Sequence, residues 1–291
     1  MSIAINLKVN DGVVLAADSA STIGHLGPDG KAAVANVYNN ANKLFNLVKG
    51  LPIGLITWGA GGIGSASIST LVKDLRKQLA SEAKLDPTSY TIEDVAKEVK
   101  RFMFDEQYTK AFEDWETMDR PSLGFVVAGY SSDGTMADEY RVTIENGGCS
   151  EPSPLRSETD SGISWHGQTE AIQRLIYGFS SQLGNTLREK LGVPEDQIEP
   201  AVRTIAQSLR VQLTHPAMPI QDAINLAEFL VDVTIRFYQY SPGAPIVGGP
   251  IEVAAITKHE GFKWIRRKHY YPPELNLGGN NETVNESQSD V

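Results

Sequence analysis

Apolar and polar residues alternate over residues 3–8, the period of a half-buried strand. Asn10-Asp11-Gly12 follows, and Asp-Gly between two such runs predicts a hairpin. Residues 13–17 are continuously apolar, which predicts a strand covered on both faces. Residues 23–41 are small, polar and contain Gly and Pro, the composition of a loop. Residues 43–48 and 51–58 read as a second strand pair around Lys49-Gly50. The period then changes. Ile68, Leu71, Val72, Leu75 and Leu79 recur at helical spacing, and a helix is predicted from about residue 65 to 83. Beyond Pro87, Thr91 with Asp94 has the spacing of a helix cap. Val95, Val99, Phe102 and Met103 mark the helix it opens, running to about Glu116.

Strand character returns at 123–130 and 139–144, joined by a turn at Ser131-Ser132-Asp133-Gly134. Residues 146–162 read as an irregular connection. Helices are predicted at about 168–183, 197–213 and 220–240, until Pro242, Gly243 and Pro245 break the pattern. A final hairpin spans 251–257 and 262–265, turning at 258–261. The segment from Pro272 to the end carries no Lys or Arg and is rich in Asn, Ser, Glu and Gly, which predicts a disordered acidic tail over 272–291. Strands joined by hairpins, then helices, then strands again predict an α+β layered protein with antiparallel sheets, one domain over residues 1–271.

Composition narrows the function classes. The 291-residue chain is 41% hydrophobic and 21% charged, as in a globular protein. Its formal net charge of −10 argues against nucleic-acid binding, which rests on Lys and Arg. The basic run Lys263, Arg266, Arg267 and Lys268 reads as the solvated end of a strand. No apolar run is long enough to span a bilayer, and no signal peptide is seen, so a cytoplasmic setting is expected. The single Cys149 excludes an internal disulfide framework. His25, His166, His215, His259 and His269 have no ligand spacing, so neither a metal nor a cofactor is expected.

One stretch invites a different reading. Gly59-Ala60-Gly61-Gly62-Ile63-Gly64 matches G-x-G-x-x-G between an apolar run and a helix. A dinucleotide fingerprint needs a second parallel strand after that helix, and here another helix follows. The competing explanation is that small residues seat a helix close against a sheet. A nucleotide-binding enzyme using this loop is kept as a third reading.

The N-terminal block SIAINLKVNDGVVLAADSAST resembles the start of mature proteasome β-type subunits, members of the N-terminal nucleophile hydrolase superfamily. Counting from Ser2 as nucleophile, the match runs without a gap to Asp18. NKLFNL places Lys43 where the family has its lysine, and TWGAGG places Gly59 where a strand meets the first long helix. LGFVVAGY, SWHGQTEAIQRLIYG and VGGPIEVAAITKHEG match later segments more loosely. The likeness covers most of residues 2–266, with extra sequence at about 24–40 and a helical insertion at about 184–218. It is that of a divergent member of bacterial or archaeal type.

The resemblance implies a four-layer αββα sandwich of two antiparallel sheets flanked by helices. It also implies hydrolysis of peptide or small amide substrates. With Met1 removed, the Ser2 amine would act as general base for its own hydroxyl. Lys43, paired with Asp18, would favour developing negative charge. Gly59 would offer its N–H to an oxyanion. Thr22, Trp58, Gln168 and Thr169 would border the cleft. A homo-oligomeric ring or related assembly is implied, with an unfoldase partner unspecified. Two departures stand beside this. The residue after Gly167 is Gln168 where active relatives carry Ser, and no Asp-Ser pair precedes Gly248. A catalytically inactive scaffold of the same fold is therefore the alternative.

Overall fold

The computed structural model describes residues 2–26, 32–81 and 85–268. The predicted acidic tail lies outside the described residues. The chain opens with the predicted hairpin, β1 (Ile3–Val9) and β2 (Gly12–Ala17), closed at the Val9–Gly12 pair. β3 (Ser21–Leu26) and β4 (Ala32–Tyr38) pair as a separate two-stranded ribbon, where the sequence predicted a loop. The ribbon stands outside both main sheets, and Ile23 and Tyr38 are about half exposed, so its described side chains show no buried apolar period. β5 (Leu44–Asn46) and β6 (Ile53–Gly59) follow as predicted. A small hairpin, β7 (Gly62–Ile63) with β8 (Ala66–Ser67), delays α1 (Ile68–Ser81) to three residues past its predicted start. α2 (Ile92–Lys100) is capped by Thr91, whose hydroxyl accepts from the Asp94 N–H. It continues as a π-helical stretch, Arg101–Tyr108, into the short α3 (Thr109–Ala111).

β9 (Leu123–Gly129) and β10 (Asp138–Glu145) form the expected pair, and β11 (Gly148–Cys149) and β12 (Ser153–Pro154) attach briefly to β10. β13 (Gly162–Gly167) is a strand where none was predicted. The helix expected at 168–183 is instead α4 (Glu170–Tyr177), ended by Gly178 in the left-handed conformation, and α5 (Leu183–Leu191). α6 (Glu195–Leu209), α7 (Ile220–Tyr240), β14 (Glu252–Thr257) and β15 (Gly261–Arg266) complete the chain.

Two antiparallel sheets dominate. One runs β13-β1-β2-β14-β15, the other β11-β10-β9-β6-β5. Side chains alternate between two apolar layers along every central strand, as the pleat requires. Ile3, Ile5, Leu7 and Val9 of β1 pack against α4 and α7, with Val253 and Ala255 of β14. Ala4, Val13, Leu15, Ala254 and Ile256 face the other sheet, where Ile56, Val126 and Ala128 meet them. On the far side, Leu55, Phe125 and Val127 pack under α1 and α2. Three buried layers between helix, sheet, sheet and helix make the four-layer α+β sandwich. Burial on both faces explains the continuous apolar run of β2; β1, expected to be half-buried from its alternation, is also covered on both faces, with its polar positions Asn6 and Lys8 buried.

Candidate active site

The site forms where the first sheet's N-terminal strand meets the C-terminal end of β6. Asp18 follows β2 and is fully buried. Its Oδ1 accepts the Ile3 N–H at 3.0 Å, and its Oδ2 accepts the Ala20 and Gly248 N–H groups at 3.1 and 3.0 Å. The Lys43 ammonium completes the shell with a 2.5 Å contact to Oδ1. One carboxylate thus ties the first strand, the turn after β2, the Gly248 loop and the entry to β5. Burial pushes the Lys43 pKa below the usual lysine value, and Asp18 draws it part of the way back.

Ser2 is 3% exposed and shares a pocket of about 330 Å³ with Lys43, Thr22, Trp58 and Gly59. Its carbonyl oxygen accepts the Gln168 N–H at 2.7 Å. Gly59 has φ +89, and a Cβ there would stand 2.5 Å from the Ser122 carbonyl oxygen, so only glycine fits without a shift. Amides alternate in direction along β6. Thr57 donates to the Lys43 carbonyl on the β5 side, and Ala60 to the Ser122 carbonyl on the β9 side. Gly59 shares the direction of Thr57, so its N–H faces the β5 side, past the end of that strand, where the pocket lies. Ser2, Lys43 and Gly59 therefore line one pocket, with Asp18 behind Lys43.

The other candidates divide. Thr22 borders the pocket with its Oγ1 buried and without a hydrogen-bond partner among the described residues. Trp58 also borders it, and lies flat against the His166 ring at a centroid distance of 4.1 Å. The indole fills the space beside Gly124, where a Cβ would stand 2.2 Å from it. Gln168 and Thr169 instead line a separate depression with Glu170 and Tyr238, and the Gln168 side chain accepts the Tyr238 hydroxyl at 2.7 Å. The Gln168 N–H holds the Ser2 carbonyl, but neither side chain lines the Ser2 pocket.

The sequence reading missed a second ion pair. Lys268, assigned to a solvated strand end, is nearly buried against Glu252 at 2.9 Å and donates to Ser19 Oγ at 2.8 Å and the Ala41 carbonyl at 2.7 Å. Glu252 shares its strand face with Ala254 and Ile256, which look into the inter-sheet core. An acid at that phase of an apolar strand was the available signal, since a carboxylate buried there needs a partner. Asn6 and Lys8 carry the same signal in β1. Asn6 donates to Glu139 at 2.6 Å and contacts His166 Nε2 at 3.2 Å, while Lys8 reaches the Glu158 carbonyl at 2.7 Å. Glu139 is also paired with Arg156.

The Gly-rich loop is not built as a phosphate cradle. β6 pairs antiparallel on both sides, and the turn at Gly64 leads into β8 before α1 begins, so the loop does not open directly onto the helix. Gly61 instead accepts the Ile68 N–H at 3.0 Å, which seats the helix start. Among the described residues no cluster of His, Cys, Asp and Glu has the arrangement of a metal site, and no helix is long and apolar enough to cross a membrane.

No protein-family model and no curated protein matches the chain. Among solved structures it is similar to an Anbu (Gly-1) mutant from Hyphomicrobium sp. strain MC1, at 15% identity and a TM-score of 0.48, over 92% of this chain and 86% of that one.

Proposed function

We propose that the protein is a proteasome-like N-terminal-serine hydrolase that cleaves peptide or amide bonds through an acyl-enzyme on Ser2. The observation that carries this reading is the convergence of Ser2, the Asp18–Lys43 pair and the Gly59 N–H on one pocket. With Met1 removed, the Ser2 amine takes the hydroxyl proton as Oγ attacks the substrate carbonyl. The oxyanion forms against the Gly59 N–H, and the nearby Lys43 charge favours it. The amine returns the proton to the leaving nitrogen, and water then hydrolyses the ester. While Met1 is present, the Ser2 nitrogen is an amide and cannot act as base.

One observation favours the second reading, an inactive scaffold. Gln168 rather than Ser follows Gly167, and its side chain accepts the Tyr238 hydroxyl in a depression apart from the Ser2 pocket. Intact mass spectrometry after β-lactone or epoxyketone treatment separates the two. An adduct on Ser2 of the Met1-free protein is expected. No mass change on that processed protein would leave the scaffold reading. Assembly into a homo-oligomer is part of either reading, and light scattering should give a multiple of the 31.7 kDa chain mass.

A further inference from the structure

Beside the Ser2 pocket lies a second cavity of about 330 Å³. Asn42, Ser69 and Lys73 line both, so the two share a wall. The second cavity also carries Lys49, Arg76 and Arg267. This gathering of positive charge stands on a chain of net charge −10. Arg76 is half-buried and directs its N–H groups to the Asn46 and Leu47 carbonyl oxygens, not to an acid. Burial holds its guanidinium pKa below the usual value, and repulsion from Arg267 lowers it further. Arg267 is steadied over the Trp264 ring, 4.7 Å from its centroid. The carboxylate in the wall, Glu252, is held by Lys268. Among the described residues, no acid pairs with Lys49, Arg76 or Arg267. Like charges gathered on a concave wall repel one another, and an entering anion relieves that repulsion.

We infer that this cavity is an anion subsite for a carboxylate of the peptide held in the Ser2 pocket. The carboxylate is an acidic side chain or a free C-terminus, since both present the same group to the Lys and Arg side chains. The inference rests on the peptide-hydrolase reading for its ligand, but its test does not depend on turnover.

The experiment is calorimetric binding to the full chain of three peptides: an N-acetylated alanine pentapeptide amide with a central Asp, its Asn counterpart, and the all-alanine pentapeptide with a free C-terminus. The Asp peptide or the free-acid peptide should bind about tenfold more tightly than the neutral one at low salt, the size of one charge-assisted contact. The margin should shrink at high salt. Which of the two gains identifies the source of the carboxylate. In the double variant Lys49→Gln/Arg267→Gln the margin should vanish, and in Lys49→Arg/Arg267→Lys it should persist. Equal binding of all three peptides to the wild-type chain, or an unchanged margin in the Gln variant, overturns the subsite. A retained margin without Ser2 acylation of the Met1-free protein overturns the hydrolase reading alone.

Discussion

At Gly167 the backbone takes φ +88, and a Cβ would stand 2.1 Å from the Ser2 carbonyl oxygen. Gly167→Ala should therefore lose roughly 1–3 kcal/mol of stability and displace Ser2, so that acylation disappears. Gly64→Ala is the contrast. Its φ is +58, but the added Cβ meets only the Ala111 Cβ at 3.2 Å. That variant should lose about 1 kcal/mol and keep whatever acylation the wild type shows; denaturant melts and intact mass check both. His166 offers a pH test. Burial, and then the nearby Arg141 and Arg156 charges, hold its pKa down to about 4 from 6.5. The folded chain thus binds fewer protons than the unfolded one between these values, and stability falls as pH drops through them. From pH about 6.5 to about 4.5, wild type should lose about 2 kcal/mol more than His166→Gln in urea denaturation. An equal acid loss in both proteins would refute a buried neutral imidazole. Little of this was legible beforehand, because His166 reads as any histidine until the strand that carries it is placed against Trp58.

Helix and strand ends show what local pattern can and cannot supply. Thr91 and Asp94 were legible as a cap because the cap is made within four residues, and the structure has Thr91 accepting the Asp94 N–H at 3.1 Å. Thr91→Ala should cost about 1 kcal/mol in thermal melts and leave the Ser2 pocket untouched. A larger loss would mean that the cap also fixes the Ser131 contact to the Ile92 N–H. β13 was not legible. It is a half-buried edge strand whose strand partner among the described residues is β1, so its state is fixed by residues about 160 positions away in sequence. The β3–β4 ribbon escaped for the opposite reason, its described side chains being mostly exposed. The central strands were plain because helices cover one face and the opposing sheet the other.

Across the whole molecule, the two sheets are joined by polar bonds as well as apolar packing. Asn6 of one sheet bonds Glu139 of the other, and Arg156 and Lys8 place positive charge around that buried acid. Removing the acid alone leaves those charges without their counter-ion. Glu139→Ala should cost roughly 3–5 kcal/mol, read as a lower urea midpoint, and an effect below about 1 kcal/mol would show that water enters and replaces the carboxylate. The same scale explains how far the site could be read in advance. Ser2, Asp18, Lys43 and Gly59 sit at the ends of strands whose order was clear, so their meeting followed from the resemblance in spacing. Lys268 and Glu252 join that neighbourhood only through the closing hairpin, and a charged run at a strand end gives no sign that its last member turns inward.

The depth of Ser2 sets an order of events for the chain. Its carbonyl is held by Gln168, the next amide by Asp18, and the residue is 3% exposed. An aminopeptidase must seat the Met1–Ser2 bond in its own cleft, and the folded chain offers it no slack on the Ser2 side. If the proposed function holds and a free Ser2 amine is needed, removal of Met1 should be easier before the chain folds than after it. Folded protein that still carries Met1 should resist added methionine aminopeptidase, whereas the same protein unfolded in urea and diluted into the enzyme should lose the residue.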